Sequence, residues 1–320
     1  MIMKKDNSEV ELTLLVCAYN EEGNIDLFLE TAIPVLERHC ESYEILFVND
    51  GSRDQTAQKI LSFETDARIR LINFSRNFGK EKAITAGLDH ARGRAVIPID
   101  ADLQEPIEAI PDFMAKWKEG YKNVVGVRKN RLYEGPIKRF VSGIFYRVLE
   151  KTSTINIIPN AGDFRLLDRK VVDELVKMRE SNRFMKGMYA LPGFSKTTVE
   201  YEIKTRNSGE SKWNFWKLWN FSLDGIFSFS TMPLRAWTYI GAFICLVSFL
   251  YALFVIIKTI IYGDVPGYTT IVVLLLFFGG VQLISVGVLG EYIGRIFEQS
   301  KNRPLYIIED IIERNVPNNQ

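Results

Sequence analysis

The chain alternates short apolar runs with segments whose apolar residues recur at helical spacing. The apolar runs, rich in β-branched residues, predict strands at Leu12–Ala18, Tyr43–Asn49, Ile69–Phe74 and Ala95–Asp100. The segments between and after them predict helices at Asn24–Arg38, Asp54–Phe63 and Lys80–Ala91. Strands that alternate with helices are typical of a parallel sheet with crossover helices, so the pattern predicts an α/β fold.

Two later segments contain no charged side chain. Ala236–Ile257 and Tyr268–Gly290 hold 22 and 23 residues, and at about 1.5 Å per residue either helix would cross a hydrocarbon core of about 30 Å. We therefore predict two transmembrane helices within residues 235–294. Basic residues flank the pair on its outer sides, whereas the loop between the helices offers only Lys258. The positive-inside rule then predicts that both termini lie in the cytoplasm.

Two other segments are predicted to rest on the lipid bilayer surface. In residues 136–151 apolar residues recur at helical spacing and basic residues occupy the other faces. Residues 213–234 lead into the first span, and four of the five tryptophans lie between Trp213 and Trp237, where an interfacial aromatic belt is expected. Packing against the domain remains an alternative for both segments. The predicted organisation is a cytosolic domain over 1–212, an interfacial helix over 213–234, the two spans, and a cytosolic tail over 295–320.

The amino-acid composition narrows the kinds of catalytic and metal site that the chain can form. The chain has only two histidines, so imidazole metal sites and Ser/His triads are disfavoured, and oxygen ligands must hold any metal. The three cysteines form no spaced framework. A net charge of +1 gives no reason to invoke nucleic acid as a partner.

Acidic and polar residues follow three of the predicted strands, as Tyr19-Asn20-Glu21, Asn49-Asp50-Gly51-Ser52 and Asp100-Ala101-Asp102. Because the carboxyl ends of parallel strands meet at one edge of a sheet, these side chains are expected to converge. No glycine-rich phosphate loop follows the first strand. We therefore expect phosphate to be bound through Mg²⁺ or Mn²⁺ held by carboxylates.

Four motifs, in chain order, carry a family resemblance. They are Val16-Cys17-Ala18-Tyr19-Asn20-Glu21-Glu22, Val48-Asn49-Asp50-Gly51-Ser52-Arg53-Asp54, Asp100-Ala101-Asp102-Leu103-Gln104 and Gly162-Asp163-Phe164-Arg165-Leu166. With the paired hydrophobic segments, the chain resembles family 2 glycosyltransferases, which have a Rossmann-like GT-A fold. Within that family it resembles the polyprenyl-phosphate transferases, namely dolichol-phosphate mannose synthases and bactoprenol glucosyltransferases.

The resemblance implies roles for the residues at the donor side. Ala18, Tyr19, Glu21 and Asp50 would contact the nucleoside of the donor, and Asp100 and Ala101 would line its pocket. Asp102, helped by Gln104, would hold the metal on the diphosphate.

The resemblance also implies candidates for the acceptor side. Arg206 and Lys212 suit the phosphate of the acceptor or the donor, although basic residues beside a membrane also bind anionic lipid. Arg165 and Arg183 are further candidates for the acceptor phosphate. Asp163 would act either as a base or as a group that positions the sugar, and a phosphate acceptor, with a second pKa of about 6, needs no strong base.

The predicted function is an inverting hexosyltransferase that moves glucose from UDP-glucose to undecaprenyl phosphate. It would lie in the bacterial plasma membrane as a multi-pass protein, facing the cytoplasm, and serve cell-surface glycan modification. Galactose, N-acetylglucosamine, an amino-pentose and GDP-mannose are alternative donors. A processive polysaccharide synthase is disfavoured because the chain lacks a Gln-x-x-Arg-Trp motif. A non-enzymatic nucleotide-binding membrane protein is the other alternative, and the glycines of the second span leave a homo-oligomer open.

Overall fold

The computed structural model describes residues 10–65, 68–129, 158, 161–202, 232–262 and 267–314. Within these residues, eight strands form one mixed sheet in the order β7-β5-β6-β4-β1-β2-β3-β8. They are β1 (Leu12–Ala18), β2 (Tyr43–Asn49), β3 (Ile69–Phe74), β4 (Ala95–Asp100), β5 (Asn123–Arg128), β6 (Ala161–Asp168), β7 (Lys196–Tyr201) and β8 (Ile308–Glu313). The four strands predicted from the sequence are β1 to β4, with the predicted bounds.

The order of strands brings several polar ends together. Strands β1 to β4 are parallel, with β1 between β2 and β4. Strand β6 runs antiparallel to β4, so β6 begins at the edge where β4 ends. We call this edge, where β1, β2 and β4 end and β6 begins, the site edge. At this edge the polar residues that follow β1, β2 and β4 lie near the first residues of β6.

Helices cover both faces of the sheet. They are α1 (Ile25–His39), α2 (Thr56–Ser62), α3 (Lys80–His90), α4 (Ile110–Lys118), α5 (Arg169–Lys177) and the short α6 (Met185–Met188). On one face Phe28 of α1 and Phe113 of α4 pack in a core with Leu14. On the other face Leu15 packs with residues of α3 and α5. Because the central strands are buried on both faces, their sequences are nearly continuous apolar runs.

Two long helices follow the domain, α7 (Met232–Tyr262) and α8 (Tyr268–Ser300). Both predicted hydrophobic spans lie within them. Among the described residues, one segment is long and apolar enough to cross a membrane, Phe277–Ser300 in α8, and α7 contributes a shorter apolar segment, Tyr239–Tyr251. Length and composition thus support a crossing by α8, and the crossing of the membrane by two helices stays a prediction.

The C-terminal residues differ from the predicted tail. Helix α8 continues to Ser300 instead of ending near residue 294. Strand β8 then pairs antiparallel with β3 and forms one edge of the sheet. The predicted helix 136–151, residues 213–231 of the predicted interfacial helix, and Arg206 and Lys212 lie outside the described residues, whereas residues 232–234 begin α7.

Candidate active site

Three carboxylates meet just after β4. Asp100, Asp102 and Glu105 each offer an oxygen, and these oxygens lie within 4.8 Å of one another. The turn between them is tight, because Leu103 adopts a positive φ of 59° and Asp102 Oδ1 accepts a hydrogen bond from the Gln104 N–H at 3.2 Å. Asp102 was predicted as a metal ligand and Asp100 as a residue of the nucleotide pocket, whereas Glu105 was not predicted.

The carboxylate group fits a divalent cation. Glu105 is 6% exposed, and its Oε2 is buried with no hydrogen-bond partner among the described residues. Burial, together with the negative charge of Asp100, raises the pKa of Glu105 to about 8. A cation bound here would satisfy the unpaired oxygen and favour the ionised carboxylate. Gln104 contributes its backbone N–H to this turn, and its predicted role as a metal ligand stays a prediction.

Lys80 joins two of the predicted acids. Its ammonium lies 2.6 Å from Asp100 Oδ2 and 3.2 Å from Asp163 Oδ2. Lys80 is the first residue of α3, and Gly79 before it has a φ of +97° that favours glycine. Burial would lower the pKa of Lys80, but the charges of Asp100 and Asp163 outweigh it and raise that pKa well above its usual value. Lys80 therefore remains charged and balances both carboxylates.

Asp163 lies at the start of β6, and 16% of its side chain is exposed. Its Oδ1 is buried without a hydrogen-bond partner among the described residues. Burial would raise the pKa of Asp163, but the nearby charges of Lys80, Lys186 and Arg165 lower it below the usual value. Asp163 is therefore an ionised carboxylate at neutral pH, held by Lys80, which also contacts Asp100 of the carboxylate group.

The two predicted arginines of this region form contacts with protein atoms. Arg165 is 4% exposed, donates to the Gly162 carbonyl at 2.5 Å, and lies 4.0 Å from the centre of the Tyr189 ring. Arg183 donates to the Met178 carbonyl at 2.8 Å. These contacts engage both guanidinium groups within the protein, and their binding of an acceptor phosphate stays a prediction.

Asp50 organises the loop that precedes α3. Its two carboxylate oxygens accept hydrogen bonds from the backbone N–H groups of Phe78 and Gly79, at 2.6 and 2.9 Å. Asp50 is 4% exposed, and burial raises its pKa. It therefore holds Gly79 and, through it, the position of Lys80.

The loop after β1 is fixed by hydrogen bonds to the loop after β2. The Asn20 N–H donates to Ser52 Oγ at 2.9 Å, and the Glu21 N–H donates to Thr56 Oγ1 at 3.0 Å. Tyr19, in the same loop, is 37% exposed. Ala18 and Ala101 are buried at the ends of β1 and β4. Ala18, Tyr19, Glu21 and Asp50 thus share one region of the site edge, as the strand pattern predicted.

Lys80 and Glu105 are site residues that were not predicted from the sequence. The sequence does contain a signal for Lys80, because this basic residue directly follows Asn77-Phe78-Gly79 and begins a helix. Glu105 follows Asp102 by three residues, and only the turn geometry brings it back to Asp100. The edge therefore holds a carboxylate group for a cation, a lysine beside it and an ionised aspartate.

Two protein-family models match parts of this chain. The model described as Glycosyl transferase family 2 matches residues 13–176, a range that begins at the second residue of β1 and contains β2 to β6. The model described as GtrB C-terminal hairpin matches residues 232–296, which contain α7 and most of α8.

Several relatives align along nearly the whole chain. An uncharacterized glycosyltransferase of Synechocystis is 49% identical over 304 residues, covering 94% of this chain and 96% of the relative. A bactoprenol glucosyl transferase of Shigella phage SfV is 48% identical over 303 residues, covering 94% and 99%. A prophage bactoprenol glucosyl transferase homolog of Escherichia coli is 46% identical over 304 residues, also covering 94% and 99%.

Proposed function

Because the chain belongs to glycosyl transferase family 2, we propose that this glycosyltransferase moves glucose from UDP-glucose to undecaprenyl phosphate with inversion at the anomeric carbon. The observation that carries the proposal is the similarity, along nearly the whole chain, to relatives named bactoprenol glucosyl transferase. The carboxylates and lysine of the site edge supply groups suited to a nucleotide diphosphate.

The proposed reaction is a single displacement. An oxygen of the acceptor phosphate forms a bond to the anomeric carbon while the bond from that carbon to the diphosphate oxygen breaks, and UDP leaves with the electron pair. The acceptor phosphate has a second pKa of about 6, so it is largely ionised at neutral pH and needs no strong base. Asp163 would therefore position the sugar or the acceptor, with Lys80 holding its carboxylate in place.

Asp100, Asp102 and Glu105 would hold Mg²⁺ or Mn²⁺, and the cation, when bound, would offset negative charge on the leaving diphosphate. Lys80 adds a second positive charge beside Asp100. Positive groups aimed at the place where charge develops stabilise the transition state more than the bound substrate. Tyr19 and Glu21 would contact the nucleoside at the neighbouring strand ends.

The proposed setting is the cytoplasmic face of a bacterial plasma membrane, with both termini in the cytoplasm. Strand β8 lies in the same sheet as β1, so the chain enters and leaves the hydrophobic hairpin on one side of the membrane. The number of crossings between them must be even, which supports two spans rather than one. Arg206, Lys212 and the segments 136–151 and 213–234 would then lie near the lipid phosphate, on the cytoplasmic leaflet.

The test is transfer of labelled glucose from UDP-glucose to undecaprenyl phosphate by the purified full chain in lipid vesicles, with MgCl₂ or MnCl₂. A mild-acid-labile glycolipid that disappears with chelator supports the proposal. UDP-galactose, UDP-N-acetylglucosamine, a UDP-amino-pentose and GDP-mannose, assayed under the same condition, test the alternative donors. If another donor gives lipid-linked product and UDP-glucose gives none, the transferred sugar is not glucose but the sugar of that donor.

A further inference from the structure

We propose that residues Gln299–Glu313, which we call the C-terminal clasp, hold the catalytic sheet against the end of α8 and so aim the site edge at the membrane-borne acceptor. The proposal rests on the proposed function for its acceptor and on the structure for its contacts. It assigns a positioning role to a segment that lies beyond the matches to both family models.

The clasp is joined to the sheet by a strand and by ion pairs. Strand β8 pairs with β3 from Arg70 opposite Glu313 to Phe74 opposite Ile308. Glu313 binds Arg70 at 3.2 Å and Arg92 at 2.6 Å. Arg70 is almost fully buried and also binds Glu44. Glu313 therefore adds a second carboxylate to an arginine that already pairs with buried Glu44, and it joins the end of β8 to Arg70 of β3 and to Arg92.

The other end of the clasp ties α8 to a loop of the domain. Gln299, in the last turn of α8, accepts a hydrogen bond from the Ser181 N–H through its Oε1 at 2.7 Å. Its Nε2 donates to the Arg179 carbonyl at 3.2 Å. One side chain therefore makes two hydrogen bonds to the backbone of a single loop, which fixes both the distance and the direction of the helix end.

Asp89 joins this loop to the clasp and to α3. Arg179 binds both carboxylate oxygens of Asp89, at 2.7 and 3.0 Å, and the Tyr306 hydroxyl donates to Asp89 at 2.6 Å. The Tyr306 ring stacks on Phe74 of β3 at 5.2 Å between ring centres. Asp89 is the second-last residue of α3, so the clasp holds the end of the helix that begins with Lys80.

The same loop also reaches the beginning of α3. A few residues beyond Ser181, the Met185 N–H donates to Glu81 Oε2 at 2.7 Å. Glu81 follows Lys80, which contacts Asp100 and Asp163. Helix α3 is thus attached at both ends to elements that the clasp joins to α8. Because α3 also packs on the sheet, these contacts fix the orientation of the sheet, and with it Lys80 and the site edge, relative to α8.

The functional test combines Gln299→Ala with Tyr306→Phe, which removes the loop contacts and one hydroxyl while keeping the ring stack. Ser300→Ala is the matched control, because the Ser300 hydroxyl bonds only within its own helix, to the Phe297 carbonyl, among the described residues. We expect transfer to undecaprenyl phosphate in vesicles to fall about tenfold, with transfer to a short water-soluble isoprenyl phosphate and the KM for UDP-glucose changed less than about twofold. Equal loss with both acceptors, or no loss, would overturn the positioning role.

A second arm does not depend on activity. Asn73 and Asp310 are paired across β3 and β8 and share a hydrogen bond at 2.7 Å. Directly opposite residues of antiparallel strands lie at a separation that suits a disulfide. We expect Asn73→Cys with Asp310→Cys to form a disulfide within one chain in vesicles, seen as a shifted monomer. A disulfide only between two chains, or none, would overturn the clasp even if glucose transfer is confirmed.

Discussion

At the residue scale, Lys80 is the cation on which two carboxylates of the site edge converge. It lies between Asp100, which belongs to the proposed metal site, and Asp163 at the start of β6. Without that positive charge the two acids would repel each other and the donor diphosphate. The charge balance of the edge therefore depends on this side chain as much as on a bound cation.

Lys80→Met should lower kcat/KM for UDP-glucose by about a hundredfold, because both carboxylates lose their shared cation. Lys80→Arg keeps the charge and should recover part of the activity. The measurement is initial-rate kinetics with each variant at saturating acceptor, with thermal unfolding as the check on folding. Wild-type kinetics for Lys80→Met in a folded protein would contradict the role.

Asp102→Asn should abolish metal-dependent transfer, with a loss of about a thousandfold or more, while the protein stays folded. Asparagine keeps the size of the side chain and can still accept the Gln104 N–H, but it lacks the negative charge. The matched control is Asp112→Asn, an exposed acid on α4. Rates are measured across a Mg²⁺ titration, and wild-type turnover by Asp102→Asn would remove Asp102 from the metal site.

Glu81 should make folding stability depend on pH. Burial and the charge of Asp163 raise the pKa of Glu81 from 4.5 to about 7. The folded protein then binds more protons than the unfolded chain between these values, so the stability contribution is complete below pH 4.5 and is lost as pH rises through 7. Glu81→Gln cannot titrate and should be more stable than the wild type by about 2 kcal/mol at pH 8.

The comparison of thermal unfolding between pH 4.5 and pH 8 checks this expectation. The wild type should lose stability relative to Glu81→Gln across that interval and run parallel to it above the pKa of Glu81. The Gln side chain can still accept the Met185 N–H, so the comparison isolates the charge. Parallel curves through the whole interval would mean that Glu81 titrates as it does in the unfolded chain.

The acids at strand ends were predictable from sequence, and their partners were not. Asp100 and Asp102 follow an apolar strand directly, so their place at the edge follows from the strand pattern. Lys80 reaches Asp100 from 20 residues earlier in the chain, a contact that local spacing does not encode. The contact of Asp50 with the nucleoside stays a prediction, and the structure adds that its oxygens hold the backbone that precedes Lys80.

At the element scale, strands buried on both faces were the easiest to predict. Strands β1 to β4 are mostly apolar and have helices on both faces. Strand β7 alternates exposed and half-buried residues at the edge of the sheet, and β8 is largely exposed. Edge strands have weak hydrophobic patterns, because their place depends on pairing with a distant strand. This is why the C-terminal segment was predicted only as a tail.

Gly93 lies in the turn between α3 and β4, at the end of the sheet strands opposite to the site edge. At this turn the backbone of the chain lies very close to β1 and β4. A Cβ atom there would lie 2.4 Å from the Thr13 nitrogen and 2.6 Å from the Ala95 carbonyl oxygen. Both atoms belong to backbone in the centre of the sheet, so neither can move without disturbing strand pairing. Gly93→Ala should therefore reduce the free energy of unfolding by about 2–4 kcal/mol.

The matched control is Gly23→Ala, where a Cβ atom meets no described atom within 4 Å. Its effect should stay within about 0.5 kcal/mol. Denaturant unfolding of the two variants in the same detergent gives the comparison. Equal stability of Gly93→Ala and the wild type would show that β1 and β4 can separate at this turn without cost.

At the scale of the whole molecule, the return of the chain to the sheet constrains the membrane topology. Strands β7 and β8 belong to one sheet, at opposite edges, and α7 and α8 lie between them in sequence. If α8 crosses the bilayer, the chain between β7 and β8 must cross it a second time. The composition of α8 supports a crossing directly, and the sheet supplies the argument that α7 crosses as well.

Gly267, just before α8, should then lie on the side of the membrane opposite to the sheet, and Ser300, at the end of α8, on the same side as the sheet. In intact cells a membrane-impermeant maleimide should label Gly267→Cys and leave Ser300→Cys unlabelled until the cells are permeabilised. The unsubstituted chain measures the background from Cys17, Cys40 and Cys245. Labelling of both positions only after permeabilisation would mean that the hairpin enters the bilayer without crossing it, because the shared sheet already fixes both of its ends on one side.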